Sequence, residues 1–204
     1  RIDLTTSVHE AEARFDWLEA ALPPRHVRSE AQVELQQFST PPMLACLMAK
    51  AAAVCAEDTL LEPSAGNGAL ALWGCLQNAS LLLNEIDPAR RDGLAHVFPT
   101  ATITAHDGEL IADLLRGPVP SAVLMNPPFA HSLERGKDGE TAMRHLRGAI
   151  RAAANRARIV AIMPEGFDAS TFAKEQDEAS LLLDVRLQQM FRRTGTGIAV
   201  RLVV

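Results

Sequence analysis

No stretch of this 204-residue chain stays apolar for the roughly 20 residues that a membrane span requires, and no charged-then-apolar leader opens it. A cytoplasmic protein with no membrane partner is therefore expected. Cysteine is scarce: Cys46, Cys55 and Cys75 are an odd set without Cys-x-x-Cys spacing, each among apolar neighbours. Reduced, buried thiols follow from that pattern, and neither a disulfide framework nor a metal site does. The Gly-x-Gly-x-x-Gly fingerprint of dinucleotide binding is missing, as is the Gly-Lys-Ser/Thr of a phosphate loop. Repeats and low-complexity segments are missing too. A basic excess is also lacking, since 20 Lys and Arg face 25 Asp and Glu for a net charge of −5. Residues 1–130 carry 8 basic against 16 acidic side chains, whereas residues 131–204 carry 12 against 9. Strong independent binding to nucleic-acid phosphates is thus not expected, because it normally needs a basic face. The chain opens on Arg1 rather than Met, which suggests a piece of something longer.

What is present is ordinary globular material, 48% hydrophobic and 22% charged, enough for one domain with a short appendage. Residues 1–35 form the appendage, with a covering helix over 5–21 that starts near Thr6 or Ser7 and stops at Pro23-Pro24. Residues 36–204 form the domain. Its apolar runs predict strands at 59–61, 79–83, 100–104, 122–125, 159–163, 181–187 and 198–204. Helices are expected between them over 43–56, 69–76, 89–97 and 141–156, which makes an α/β doubly wound sheet with parallel strands. The turn Thr194-Gly195-Thr196-Gly197 closes the last two strands as an antiparallel hairpin.

Four segments carry candidate chemistry. Thr40 before Pro41 has the form of an N-cap followed by proline at the first helical position. Glu62-Pro63-Ser64-Ala65-Gly66-Asn67-Gly68 turns from a strand into a helix, and its two glycines remove Cβ atoms where a ligand must approach the backbone. Glu85, 23 residues after Glu62, falls about where such a fold places an acid on a ribose diol. Asp87-Pro88 caps the next helix. Finally, Asn126-Pro127-Pro128-Phe129 ends the strand 122–125, because two prolines forbid either strand or helix to continue.

Taken together, these motifs resemble the S-adenosylmethionine (SAM)-dependent methyltransferases that modify an exocyclic amino group, chiefly N6 of adenine. The resemblance covers nearly everything from Gln37 to Val204 in the order that places the cofactor motif first. It implies a Rossmann-like fold with a mostly parallel seven-stranded sheet and a C-terminal antiparallel hairpin. By that resemblance Thr40 lies near the methionine part of SAM, Glu62, Pro63, Ala65, Gly66 and Gly68 belong to the cofactor loop, and Glu85 binds ribose. Ile86 then packs on the cofactor's adenine, and Asp107 accepts from its amino group. A carboxylate at 62 would favour the ammonium and sulfonium groups. Asn126 and the Pro127 carbonyl would accept the substrate N–H groups, Phe129 would stack on an extruded base, and Phe191 is a second stacking candidate. Residues 191–197 are similar, more loosely, to the methyltransferase-like domain of bacterial strawberry-notch-type helicases.

The family usually carries a separate target-recognition region, which is not seen here. Another part of a longer protein, or the polar loop 131–140, read as mobile, would then present the substrate. Nucleic acid is the expected partner, DNA ahead of RNA. Protein-glutamine methylation is an alternative, although its Asn-Pro-Pro motif usually ends in Tyr and this chain has 0 Tyr. A SAM-binding domain without turnover is another. Arg144, Arg147 and Arg151 share one helix face, read as solvated rather than as a phosphate contact. His106 is read as a polar loop residue rather than a general base.

Overall fold

A computed structural model describes residues 8–21, 39–129, 131–132, 136–137, 140–175, 179–188, 190–191 and 199–204. Its strands are β1 (Thr59–Glu62), β2 (Ser80–Asn84), β3 (Thr102–Thr104), β4 (Ala122–Met125), β5 (His131–Ser132), β6 (Gly136–Lys137), β7 (Arg158–Pro164), β8 (Asp184–Leu187) and β9 (Val200–Val203). The helices are α1 (Val8–Ala21), α2 (Pro42–Ala51), α3 (Ala71–Leu76), α4 (Pro88–Val97), α5 (Ile111–Leu114), α6 (Thr141–Ala152) and α7 (Ala169–Glu175). A 3-10 turn, Gly108–Leu110, leads into α5.

Seven strands pair in the order β3-β2-β1-β4-β7-β9-β8, the first five parallel and β9 antiparallel to both β7 and β8. The order reverses between β1 and β4, where Leu61 stands opposite Val123. In open α/β sheets ligands bind in the crevice at such a switch point, outside the carboxyl ends of the strands. The central strands read as unbroken apolar runs because both faces are covered. Leu60, Leu83, Leu124 and Ile162 face a core shared with α2, α3 and α4. Their neighbours Leu61, Leu82, Val123, Met125 and Met163 face the other core, with α6 and α7. Helix α1 covers the first side: Phe15 is 4% exposed and its ring lies 6.1 Å from that of Trp73.

Several boundaries move inward from the sequence-based expectation, each for a local reason. Helix α2 stops at Ala51 rather than 56, because Ala53 takes a left-handed φ of 47° and Val54 N–H returns to the Ala49 carbonyl at 3.1 Å. Helix α6 stops at Ala152, where Ala153 turns extended and Arg156 adopts φ 65°. Residues 182 and 183 still donate to the Val204 carbonyl, but regular strand begins only at Asp184. The stretch 131–140, expected as a mobile loop, contains the antiparallel pair β5–β6, with His131 opposite Lys137. The boundary at residue 35 and the turn 194–197 lie outside the described residues. Of the thiols expected to be buried, Cys46 is, Cys55 is half-buried, and Cys75 is exposed near the end of the short α3; all three are free.

Candidate active site

Strand β4 is fully buried and delivers its last residues to the crevice. Beyond it Asn126 is half-exposed, Pro127 is buried, and Pro128 and Phe129 are half-buried. Phe129 packs against both cores while staying partly exposed. The Asn126 amide nitrogen donates to the hydroxyl of Thr40 at 3.1 Å. Thr40, expected as the helix cap, does not cap α2: the N-cap is Pro41 and no side chain bonds the first turn. Thr40 is 4% exposed, and its hydroxyl accepts from Asn126 instead.

Next to β4, the end of β1 carries Glu62, 3% exposed. Its carboxylate accepts the N–H of Ala71 at 2.9 Å, which sets the start of α3 two residues later than expected. Burial pushes the Glu62 carboxyl well above its ordinary range; the Ala71 bond opposes this and the nearby Glu85 adds to it. Gly66 and Gly68 both have left-handed backbone, with φ of 57° and 78°. They serve different ends. A Cβ at Gly68 would come within 2.4 Å of the Phe98 ring and 2.9 Å of Leu94, so packing against α4 by itself calls for glycine there. At Gly66 the nearest neighbour would be an Arg90 guanidinium nitrogen at 3.2 Å, on the side of the loop that Glu85 faces.

Glu85, 5% exposed, accepts the Gly66 N–H at 2.6 Å on one oxygen and the Asp87 N–H at 2.9 Å on the other. Each oxygen keeps a lone pair, so the carboxylate fits a ribose diol as well as the loop it now holds. Asp87 caps α4 as expected, accepting from Arg90 N at 3.1 Å, and Ile86 is half-exposed beside it. Asp107 caps the 3-10 turn through one oxygen, which accepts Glu109 N–H at 2.9 Å. The Arg90 guanidinium is shifted down by burial, and Glu85 and Asp87 partly restore it.

Two residues that hold this arrangement were not singled out in the sequence. Asn84, 2% exposed, donates to the carbonyls of Pro63 (2.9 Å) and His106 (3.0 Å) and accepts from the Thr104 hydroxyl (2.8 Å) and His106 N–H (2.9 Å). It therefore ties the glycine loop to the Asp107 loop with its whole hydrogen-bonding capacity. A lone amide closing the run Leu81-Leu82-Leu83 was the available signal. His145, 5% exposed on α6, bonds the Thr141 carbonyl through Nδ1 at 3.0 Å and backs Gly108, where a Cβ would meet Nε2 at 2.8 Å. Burial lowers its pKa.

Other candidates are placed differently. Phe191, proposed for stacking, is 3% exposed and belongs to the core shared with α2 and α3. Residues 192–197 lie outside the described residues. The arginine face of α6 is not simply solvated: Arg144 pairs with Glu109 at 2.7 Å, Arg151 with Asp113 at 2.8 Å, and Arg147 with Glu175 at 3.5 Å. A cavity of about 240 Å³ opens between that face and Asp107, but neither the glycine loop nor residues 126–129 line it. Among the described residues no three His, Cys, Asp or Glu are grouped to hold a metal, and no helix is long and apolar enough to cross a membrane.

No protein-family model matches the chain, and no curated protein matches it. Solved structures do. A modification subunit of a candidate type I restriction enzyme from Vibrio vulnificus aligns with TM-score 0.69 at 20% identity, over 97% of this chain and 49% of that one. A candidate RNA methyltransferase from Pyrococcus horikoshii aligns with TM-score 0.64 at 16% identity, over 95% and 96%. The methyltransferase subunit of a type I restriction-modification system from Streptococcus thermophilus gives 0.62 at 18%, over 82% and 44%. This chain thus spans about half of the restriction-modification subunits it matches. The fold is the Rossmann-like α/β fold of the class I methyltransferases, with the antiparallel strand next to last in the sheet order.

Proposed function

We propose that this chain is a SAM-dependent N-methyltransferase domain acting on an exocyclic amino group, with adenine N6 in DNA as the first substrate and RNA the second. One observation carries the reading. Asn126 and Phe129 follow β4 at the switch point, and the adjacent β1 leads into the glycine loop whose Gly66 N–H donates to the Glu85 carboxylate. This arrangement pairs a hydrogen-bond acceptor for an amino group with a carboxylate for a ribose.

When bound, SAM supplies an electrophilic methyl group on a sulfonium. The protein's own part is to bind and orient. Glu85 takes the ribose hydroxyls, Ile86 and Asp107 receive the cofactor's adenine, and Glu62 faces the cationic end, with Pro63, Ala65, Gly66 and Gly68 shaping the loop. The Asn126 side-chain oxygen and the Pro127 carbonyl accept the two N–H groups of the substrate, letting its nitrogen pyramidalise toward the methyl. No general base is required, since that nitrogen becomes strongly acidic once alkylated. Phe129 stacks on the extruded base, and in-line positioning provides most of the rate. The half-buried Phe129 is favoured for this over Phe191, which is 3% exposed. Target selection rests on a further domain or partner, of which a helicase of the strawberry-notch type is the form to look for.

The test is transfer of tritiated methyl to DNA, RNA and a mixed protein extract by the wild type and Asn126→Ala. Label in nucleic acid that falls about 100- to 1000-fold in the variant, at unchanged SAM affinity, is expected for the loss of one oriented acceptor. Label in protein would move the substrate to glutamine. Equal activity in the variant would sink the assignment.

A further inference from the structure

We infer that Thr40 is a positioning residue for the catalytic amide: it anchors the Asn126 carboxamide so that the oxygen, not the NH2, faces the substrate. The inference rests on the methyltransferase reading and departs from the placement of Thr40 beside the methionine part of SAM. An asparagine amide is nearly isosteric about its last bond, and only one of its two settings suits an amino group. With the NH2 turned inward, donors would face donors. In the structure Asn126 Nδ2 donates to the Thr40 hydroxyl at 3.1 Å, the setting that turns the carboxamide oxygen away from Thr40. The bond joins residues 86 apart in sequence, so no local turn accounts for it.

Thr40 is suited to hold rather than to yield. At 4% exposure it has little room to reorient, and the residue before a proline is confined to extended backbone. Pro41 continues the restraint, with φ −58° and ψ 142°, and takes the cap position that would otherwise have claimed the hydroxyl. The preceding Ser39 holds the Asn67 side chain of the glycine loop at 3.2 Å. One dipeptide thus touches both the cofactor loop and the catalytic segment.

Thr40→Val and Thr40→Ser separate this role from cofactor binding. Thr40→Val is expected to lower kcat about 10- to 100-fold, as for a misplaced reacting group, with the SAM Kd within about twofold of wild type. Thr40→Ser should restore most of the rate. A Kd for SAM raised tenfold with kcat kept would overturn the inference, since the hydroxyl would then serve the cofactor. A second readout needs no activity: the Asn126 side-chain NH2 resonances of the free protein, identified by their loss in Asn126→Ala. Slowed hydrogen exchange in wild type and Thr40→Ser, lost in Thr40→Val, supports the anchor; exchange that Thr40→Val leaves unchanged refutes it. If the wild type methylates nothing, the functional reading fails while this measurement still decides the anchor.

Discussion

Strand β1 is flanked by two buried acids, Asp58 just before it at 5% exposure and Glu62 at its end at 3%, and the fold treats them in opposite ways. Burial alone would raise Asp58. Donors outweigh that effect: the Ser121 hydroxyl at 2.7 Å, Cys55 N–H at 2.9 Å and the Arg158 guanidinium take it down to about 2. Ser121 in turn accepts Thr59 N–H at 3.1 Å, so one carboxylate stitches β1, β4 and β7 together at their amino ends. Glu62 has no such company. Among the described residues its one donor is Ala71 N–H, and the charge that acts on its carboxyl, Glu85, is another acid. An acid neutralised within the chain serves the fold; one buried without a cation is suited to a cationic ligand.

Changes at the amino end should therefore cost stability, and changes at the carboxyl end should cost binding or turnover. The largest stability effect is expected for Asp58→Ala, a loss of about 2–3 kcal/mol from a charged hydrogen-bond network whose arginine is partly exposed. Denaturant unfolding would measure it, and SAM affinity of the folded fraction should not move. Gly68→Ala comes next, about 1–3 kcal/mol in the same assay, since its Cβ would enter the Phe98 ring on a left-handed backbone. An unchanged stability there would show that the loop glycine is reserved for ligand after all.

The smallest effect, and the most informative, is a difference in sign with pH. Glu62 titrates above its ordinary 4.5 when folded, so its contribution is complete below that value and is lost as pH rises through the folded value. Asp58 is the reverse: its contribution is present above 3.8 and is lost as pH falls through about 2. Glu62→Gln should accordingly make the free protein slightly more stable than wild type at neutral pH, with no gain at pH 4. Asp58→Asn should remove acid sensitivity only between those two lower values. Stability measured against pH in both variants would check this, and a loss of stability in Glu62→Gln at neutral pH would break the contrast.

Much of this was legible in the sequence because it rests on local rules. The apolar runs, the prolines after Asn126 and the Asp87-Pro88 cap each act within a few residues, and each stands where expected. What stayed hidden depends on partners far along the chain. Thr40 reads as a cap until Asn126 claims its hydroxyl, and the packing of Gly68 against Phe98 has no local signal. The four hydrogen bonds of Asn84 join the carboxyl ends of β1, β2 and β3, which no spacing rule connects. Cys75 shares apolar neighbours with buried cysteines, yet lies on the outer side of the short α3, which leaves it exposed.

The most direct test of the contrast is a calorimetric titration with SAM, run at a series of pH values above the ordinary carboxyl range in two buffers of different ionisation enthalpy, on wild type and Glu62→Gln. Binding by wild type, with proton release at the pH values where free Glu62 is still protonated because the cationic ligand favours its charged form, and weaker binding without that release in Glu62→Gln, is the expected result. No binding by wild type, or identical affinity and proton release in both proteins, would contradict the claim that the carboxyl end of β1 is built for a cationic cofactor.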